Sequence, residues 1–191
     1  MRIIGGEARG RKLKSPPGRT VRPTLSRVRE GLFDMLAPRL PGARFLDLFA
    51  GTGAVGLEAA SRGAAAVVLV EVSDRQARTI RENIQALAVE ARVRLIRAAA
   101  GSALPHLAQA GKCFDVIFLD PPYDRPEAVV STLEVISQWP GLVCPQGVVV
   151  AQHDSRLAMP DQVGACRLAR ARRFGDSTLS FYHLAEPPGG A

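Results

Sequence analysis

Five short runs rich in Val, Ile, Leu and Phe alternate along this chain with stretches of helical length. The runs fall at residues 44–49, 66–71, 92–97, 114–119 and 147–151, and the spacing predicts helices near 54–62, 74–88, 102–110 and 126–138. Short, continuously apolar strands suit a sheet buried on both faces, and strand–helix alternation implies parallel pairing under a helical cover. Right-handed crossovers make a doubly wound, mostly parallel sheet the simplest topology. Residues 164–174 and 177–184 read as two more strands around Gly175-Asp176, which adds an antiparallel hairpin at one edge. The fold class is therefore α/β. With 191 residues, 47% of them apolar, one domain plus a small appendage is expected: an N-terminal extension over 1–43 and the main domain over 44–186.

Composition excludes several classes. No apolar run approaches the roughly 20 residues that span a bilayer, and no apolar stretch follows the first basic residues, so no signal peptide is expected. Cys113, Cys144 and Cys166 are scattered and odd in number, without a CxxC pair or a Cys/His cluster. Neither a disulfide framework nor a metal site is expected, and a reducing cytoplasm fits best.

The net charge of +7 is unevenly spread. Residues 1–44 hold 11 Lys/Arg against Glu7, Glu30 and Asp34, whereas residues 45–191 hold 14 against 15 acids. A near-neutral body with a cationic arm suggests a polyanionic partner. A merely solvated tail is the alternative, and the apolar residues Ile3, Ile4, Leu13 and Val21 among the basic ones argue against it. Residues 2–4 and 9–13 can form a hairpin about Gly5-Gly6. A helix should open at Pro23-Thr24 with Thr24 as its N-cap, place Leu25, Val28, Leu32 and Leu36 on one face with Arg27 and Arg29 pointing elsewhere, and be weakened by Gly31.

Two strands run into loops of unusual chemistry. In Leu46-Asp47-Leu48-Phe49-Ala50-Gly51-Thr52-Gly53-Ala54-Val55-Gly56 the glycines fit G-x-G-x-x-G between a strand and a helix, where the backbone turns tightly and a ligand can approach the amides. Asp47 stands at the strand end, where a carboxylate meets a cationic or amine-bearing ligand. Glu71 ends the next strand and can accept both hydroxyls of a ribose. An NAD dehydrogenase would want the glycines and Glu71 but has no need of Asp47. S-adenosylmethionine (SAM), with its amino acid moiety and sulfonium, suits the acidic strand end better.

The second loop is Asp120-Pro121-Pro122-Tyr123, after the apolar run Val116 to Leu119. The prolines fix the backbone and leave carbonyls as acceptors only. Asp120 and the Pro121 carbonyl can each take one hydrogen of an NH2 group, which draws its nitrogen toward a nucleophilic lone pair. Tyr123 can stack on the ring that bears the amine, a contact worth about 1–3 kcal/mol. Together the loops read as a SAM-dependent methyltransferase acting on an exocyclic amine.

On these motifs, and on Arg2-Ile3-Ile4-Gly5-Gly6, Arg9-Gly10-Arg11-Lys12-Leu13, Arg22-Pro23-Thr24, Arg27-Val28-Arg29-Glu30 and Leu32-Phe33, the chain resembles the RsmD-type 16S rRNA guanine-N2 methyltransferases over nearly its whole length. The resemblance implies a Rossmann-like SAM domain with a small N-terminal extension. It implies a guanine in the helix 31 loop of small-subunit rRNA as substrate; a monomer needing no metal is expected besides. By match, Asp47, Phe49, Gly51, Gly53 and Glu71 take the cofactor, Asp120, Pro121, Pro122 and Tyr123 hold the guanine, and Arg9, Arg11, Lys12, Arg22 and Arg27 meet RNA. The chain departs from the family at Ala98-Ala99-Ala100, which shifts the adenine contact to backbone or Ser102, and at Gln152-His153-Asp154, where relatives commonly carry Glu. Adenine-N6 DNA methylation, glutamine-N5 protein methylation and a non-catalytic RNA-binding assembly factor are the competing readings.

Overall fold

The computed structural model describes residues 1–15, 23–122, 124–125 and 127–185. In chain order these form α1 (Pro23–Leu36), β1 (Arg44–Asp47), α2 (Ala54–Ser61), β2 (Ala66–Val70), α3 (Asp74–Leu87), β3 (Val93–Ile96), α4 (Ala100–Gln109), β4 (Phe114–Leu119), α5 (Glu127–Gln138), β5 (Val143–Asp154), β6 (Gln162–Val163), β7 (Cys166–Phe174) and β8 (Ser177–Leu184). One sheet runs in the order β3-β2-β1-β4-β5-β8-β7-β6. Its first five strands pair in parallel and the last three antiparallel, as the alternation predicts.

Successive strand residues face opposite sides, so each strand feeds two cores. Phe45, Val67, Leu69, Val116, Phe118 and Phe181 pack with α1, α2 and α3 on one face. Leu46, Val70, Ile117, Leu119 and Tyr182 pack with α4 and α5 on the other. This double burial explains why the strands read as unbroken apolar runs rather than alternating ones.

Local details differ from or add to expectation. Strand β5 starts four residues before the expected run, because Pro145-Gln146-Gly147 is absorbed as a bulge: Phe114 pairs with Val143 and Val116 already with Val148. Helix α1 begins at Pro23, so Thr24 lies inside its first turn rather than capping it. Gly31, beyond its low helix propensity, makes room for a contact, since a Cβ would fall 2.3 Å from the Phe174 ring that packs on it. Strand β6 was not expected and covers only the start of β7.

The N-terminal hairpin forms, with a bridge between Arg2 and Lys12 and buried Ile3 and Leu13. It is no solvated tail. Glu58 on α2 is wholly buried and accepts from the Ile4 amide at 2.8 Å, the Gly5 amide at 2.7 Å and Arg62 Nε at 2.8 Å. Ser61 Oγ accepts from the Ala8 amide at 2.9 Å and donates to the Gly5 carbonyl at 2.6 Å. Arg29, expected off the apolar face, is buried and donates to the Arg2 carbonyl at 2.7 Å. Its burial pulls its pKa down despite nearby Glu58 and Glu30.

Removing the Glu58 carboxylate strands two amides and a guanidinium at once. Glu58→Ala should lower unfolding free energy by about 3–5 kcal/mol, read from urea denaturation. A loss below about 1 kcal/mol would mean that apolar contacts alone dock the arm.

Candidate cofactor and catalytic site

Strands β1 and β4 lie side by side although α2, β2, α3, β3 and α4 separate them in sequence, so the sheet order reverses between them. In such folds the crevice beyond the carboxyl ends of the strands at this point binds ligands. Asp47 stands opposite Phe118, two residues before Asp120. The two loops singled out by sequence therefore meet at one crevice.

The glycine loop is stitched to both neighbouring strands. Leu48 donates to the Phe118 carbonyl and Ala50 to the Val70 carbonyl, each at 2.9 Å. Gly51 and Gly53 have φ of 56° and 80°, the left-handed region that disfavours other residues. Beside Gly51 the space that a Cβ would take is open, so a ligand can come up to the backbone there.

Glu71, expected to await a ribose, already accepts from the Gly51 amide through Oε2 and from the Ser73 amide through Oε1, each at 2.8 Å. It braces the loop, with one lone pair on each oxygen left for further donors. Asp47 is 1% exposed; Oδ2 accepts from the Gly56 amide at 3.2 Å, while Oδ1 has no hydrogen-bond partner among the described residues. Burial pushes its carboxyl up to about 7, against the pull of the Gly56 and Phe49 amides, and nearby Glu71 adds to the rise.

Phe49 is half-buried against the α4–α5 core. Ser102 is exposed in the first turn of α4, its amide given to the Ala99 carbonyl. Asp120 is half-buried, Pro121 buried and Pro122 exposed. The Pro122 carbonyl accepts from the Arg125 amide at 3.0 Å and closes a turn. Tyr123 lies outside the described residues. So does Arg22.

Of the arm residues, Arg9, Lys12 and Arg27 are exposed. Arg11 is also exposed, but its guanidinium donates to the Ala86 carbonyl near the end of α3. Lys14 pairs with Glu82 at 3.0 Å. A cavity of about 380 Å³ opens between hairpin and α1, lined in part by Arg2, Lys12 and Arg29.

Two residues here were not foreseen. Val72, directly after Glu71, is 67% exposed and is the only exposed large apolar side chain among the described residues. An apolar residue just past a strand end was the available signal. Asn83 is wholly buried on α3; its Oδ1 accepts from the Lys14 amide at 2.7 Å, and Nδ2 donates to the carbonyls of Lys14 at 3.1 Å and Thr52 at 3.0 Å. It ties the arm to the glycine loop. Its place beside Ile80 and Ile84 on the buried face was the clue.

His153 is buried: Nδ1 donates to the Asp154 carbonyl at 2.9 Å, and Nε2 lies 2.8 Å from Ser180 Oγ. Burial lowers its pKa, which favours the neutral ring. Among the described residues no group of three or more His, Cys, Asp or Glu could hold a metal ion, and no helix is long and apolar enough to cross a membrane.

The family described as conserved hypothetical protein 95 matches residues 1–183. The chain is 35% identical over 182 residues to YlbH, a candidate rRNA methyltransferase of Bacillus subtilis (strain 168), covering 95% of this chain and 98% of that one. The chain belongs to this family of RsmD-type methyltransferases. It is also 45% identical over 126 residues to ribosomal RNA small subunit methyltransferase D of Escherichia coli (strain K12), covering 65% of this chain and 61% of that one. The solved structure of the E. coli candidate methyltransferase yhhF superposes with a TM-score of 0.83 at 34% identity, over 96% of this chain and 97% of that one. A Thermus thermophilus protein of solved structure, TTHA0928, does so with a TM-score of 0.81 at 36% identity, over 96% and 99%. RsmD-type methyltransferases use S-adenosylmethionine as cofactor.

The residues of this RsmD-type chain fit that group: open glycine backbone, a carboxylate with spare lone pairs, exposed apolar Val72, and a buried carboxylate oxygen without a partner. Two tests follow. A buried carboxyl raised to about 7 keeps its proton when folded at pH values where the unfolded chain, at 3.8, has lost it. Its contribution to stability therefore falls as pH rises from near 4 through 7 and is flat above. Asp47→Asn should stabilise the protein relative to the parent increasingly over that window, by up to roughly 4 kcal/mol. A difference in denaturation midpoint that does not vary with pH would mean an ionised Asp47 throughout. Asn83→Leu should cost about 1–3 kcal/mol by leaving backbone groups unpaired, and by loosening Thr52 it should also weaken SAM binding. Calorimetry showing parental SAM affinity would confine Asn83 to a packing role.

Proposed function

We propose that this chain transfers a methyl group from SAM to the exocyclic N2 amine of a guanine in 16S rRNA, in the helix 31 loop of the small ribosomal subunit. The observation that carries this reading is the adjacency of the glycine loop after β1 and the Asp-Pro-Pro loop after β4 at one crevice. The rRNA substrate is supported by the names of the relatives, and the cationic arm, held against α2 and α3, is consistent with it.

SAM, when bound, would supply an electrophilic methyl group, its S–C bond breaking and S-adenosylhomocysteine leaving as the new N–C bond forms. Gly51, Gly53 and Glu71 would hold it, with Phe49 and Val72 as apolar contacts and Asp47 beneath. Asp120 accepts one hydrogen of the guanine amine and the Pro121 carbonyl the other. This orients the nitrogen lone pair, and Asp120 is positioned to take the proton released as the N–C bond forms. Tyr123 stacks on the base, which must leave its own stack first, at a cost of a few kcal/mol. The extension over 1–43 serves as the RNA-holding part and 44–186 as the methyl-transfer domain. The chain acts as a monomer in the cytoplasm and requires no metal.

Mass mapping of methylated nucleotides in 16S rRNA, after unmethylated subunits meet the protein and SAM, tests the reading. One guanine gaining a single methyl supports it. Methyl transfer to DNA adenine or protein glutamine instead would overturn it. Asp120→Ala should keep near-parental SAM affinity and cut the single-turnover rate about 100-fold or more, with Asp120→Asn milder. An unchanged rate in Asp120→Ala would remove the amine clamp.

A further inference from the structure

The near-neutral charge of residues 45–191 conceals a local concentration. Between residues 162 and 175 stand Arg167, Arg170, Arg172 and Arg173 and no acid. All four belong to β7 and all four are exposed. Strand β6 pairs only with Cys166 and Arg167, so from Leu168 onward β7 is a sheet edge.

The sheet register places this edge against the site. Leu119 is level with Ala151, Ala151 with Ser180, and Ser180 with Ala171. One step further, Arg172 pairs with Leu179 and Leu179 with Gln152, and Arg173 is level with Thr178 and His153. Arg172 and Arg173 therefore lie at the height of Asp120 and Pro121, three strands away. At about 4.8 Å per strand that is roughly 15 Å. Arg167, level with His183, lies toward the opposite end of the same strand.

Facing pairs share a side of the sheet. Arg170 is opposite Phe181 and Arg172 opposite Leu179, both in the core that α1 covers, so these two arginines share the side of α1 and the arm. Arg170 is held with its guanidinium 4.4 Å from the centre of the Phe181 ring. Arg173 Nε donates to the Gly175 carbonyl at 2.8 Å, which points it along the turn. No ion pair neutralises these arginines among the described residues, and Asp154, at the end of β5, is already paired with Arg156 at 2.7 Å. Asp176 in the turn and exposed Glu30 and Asp34 on α1 are the other acids of this region.

We infer that Arg170, Arg172 and Arg173 form a second contact surface for RNA, in which the β7 edge takes backbone phosphates of the strand whose target base enters the crevice beside Asp120. The inference rests on the RNA reading above and adds a second grip, at the β7 edge, to that of the arm. Charges on an edge strand also guard against strand pairing between molecules. Glutamate would keep that guard while repelling phosphate, so charge reversal separates the two roles.

The test compares R172E/R173E, R172K/R173K, R172E alone and R167E with the parent, by filter binding to unmethylated 16S rRNA at several salt concentrations and by methyl-transfer kinetics. R172E/R173E should bind about tenfold or more weakly, with a salt slope shallower by about 1.4, two contacts at ~0.7 each on single-stranded RNA. R172K/R173K should keep most of the affinity, R167E should stay near the parent, and SAM affinity should be unchanged in all. The rise should fall on KM for RNA rather than on kcat. R172E alone, whose parent side chain makes no hydrogen bond or ion pair among the described residues, should show half the slope change and guards against disturbance of the turn. Parental affinity and slope in R172E/R173E, with the parent still methylating rRNA, would overturn this surface alone. A parent that neither binds nor methylates rRNA would overturn the functional reading with it.

Discussion

Parallel pairing of β1 with β4 is the constraint on which the rest of the site depends. A parallel neighbour cannot be reached by a tight turn; the chain must leave the sheet, cross over and return. Here it makes two excursions on one side of β1, through β2 and β3, before coming back on the other. The reversal leaves a gap in helical cover at the carboxyl ends of β1 and β4. The glycine loop and the Asp-Pro-Pro loop are consequences of that gap: both follow strands that end there, and backbone hydrogen bonds from Leu48 to Phe118 and from Ala50 to Val70 hold the first loop against both neighbours.

Buried polar groups do the next part of the work. Glu58, Asn83 and Asp47 lie inside the protein, where each would be costly unless paired. Glu58 and Asn83 are fully engaged, and what they engage is the arm: Glu58 binds its Ile4 and Gly5 amides, while Asn83 spans from Lys14 to the Thr52 carbonyl. The segment proposed to hold RNA and the loop proposed to hold the cofactor thus share one buried side chain. Asp47 differs, since its Oδ1 has no protein donor among the described residues. That is stored electrostatic cost beside the crevice, of the kind that sites carry more often than scaffolds.

Charge is less simply divided than composition suggests. Several arm cations are committed to the protein itself: Arg11 to Ala86, Lys14 to Glu82, and buried Arg29 to Arg2. Meanwhile the β7 edge, in a body near neutrality, carries uncompensated arginines level with Asp120. A sum over sequence segments measures neither, because pairing and register decide which charges reach solvent together.

Sequence alone determined the α/β class, the parallel core, the terminal hairpin and the two loops, because these follow from local rules. Double burial makes apolar runs, glycine permits the turn, and proline bars the ladder. Tertiary structure decided what depends on partners distant in the chain. Residues 143–146, outside the expected run, joined β5 because β4 pairs on both sides of a bulge there. Gly31 proved to be a seat for Phe174 as well as a poor helix former. Glu71 turned out to brace Gly51 and Ser73, and Asn83 to join arm and loop, through hydrogen bonds to backbone that no periodicity announces. The height of Arg172 beside Asp120 is a matter of strand order and register, which hydrogen bonding across four strands sets and local sequence does not.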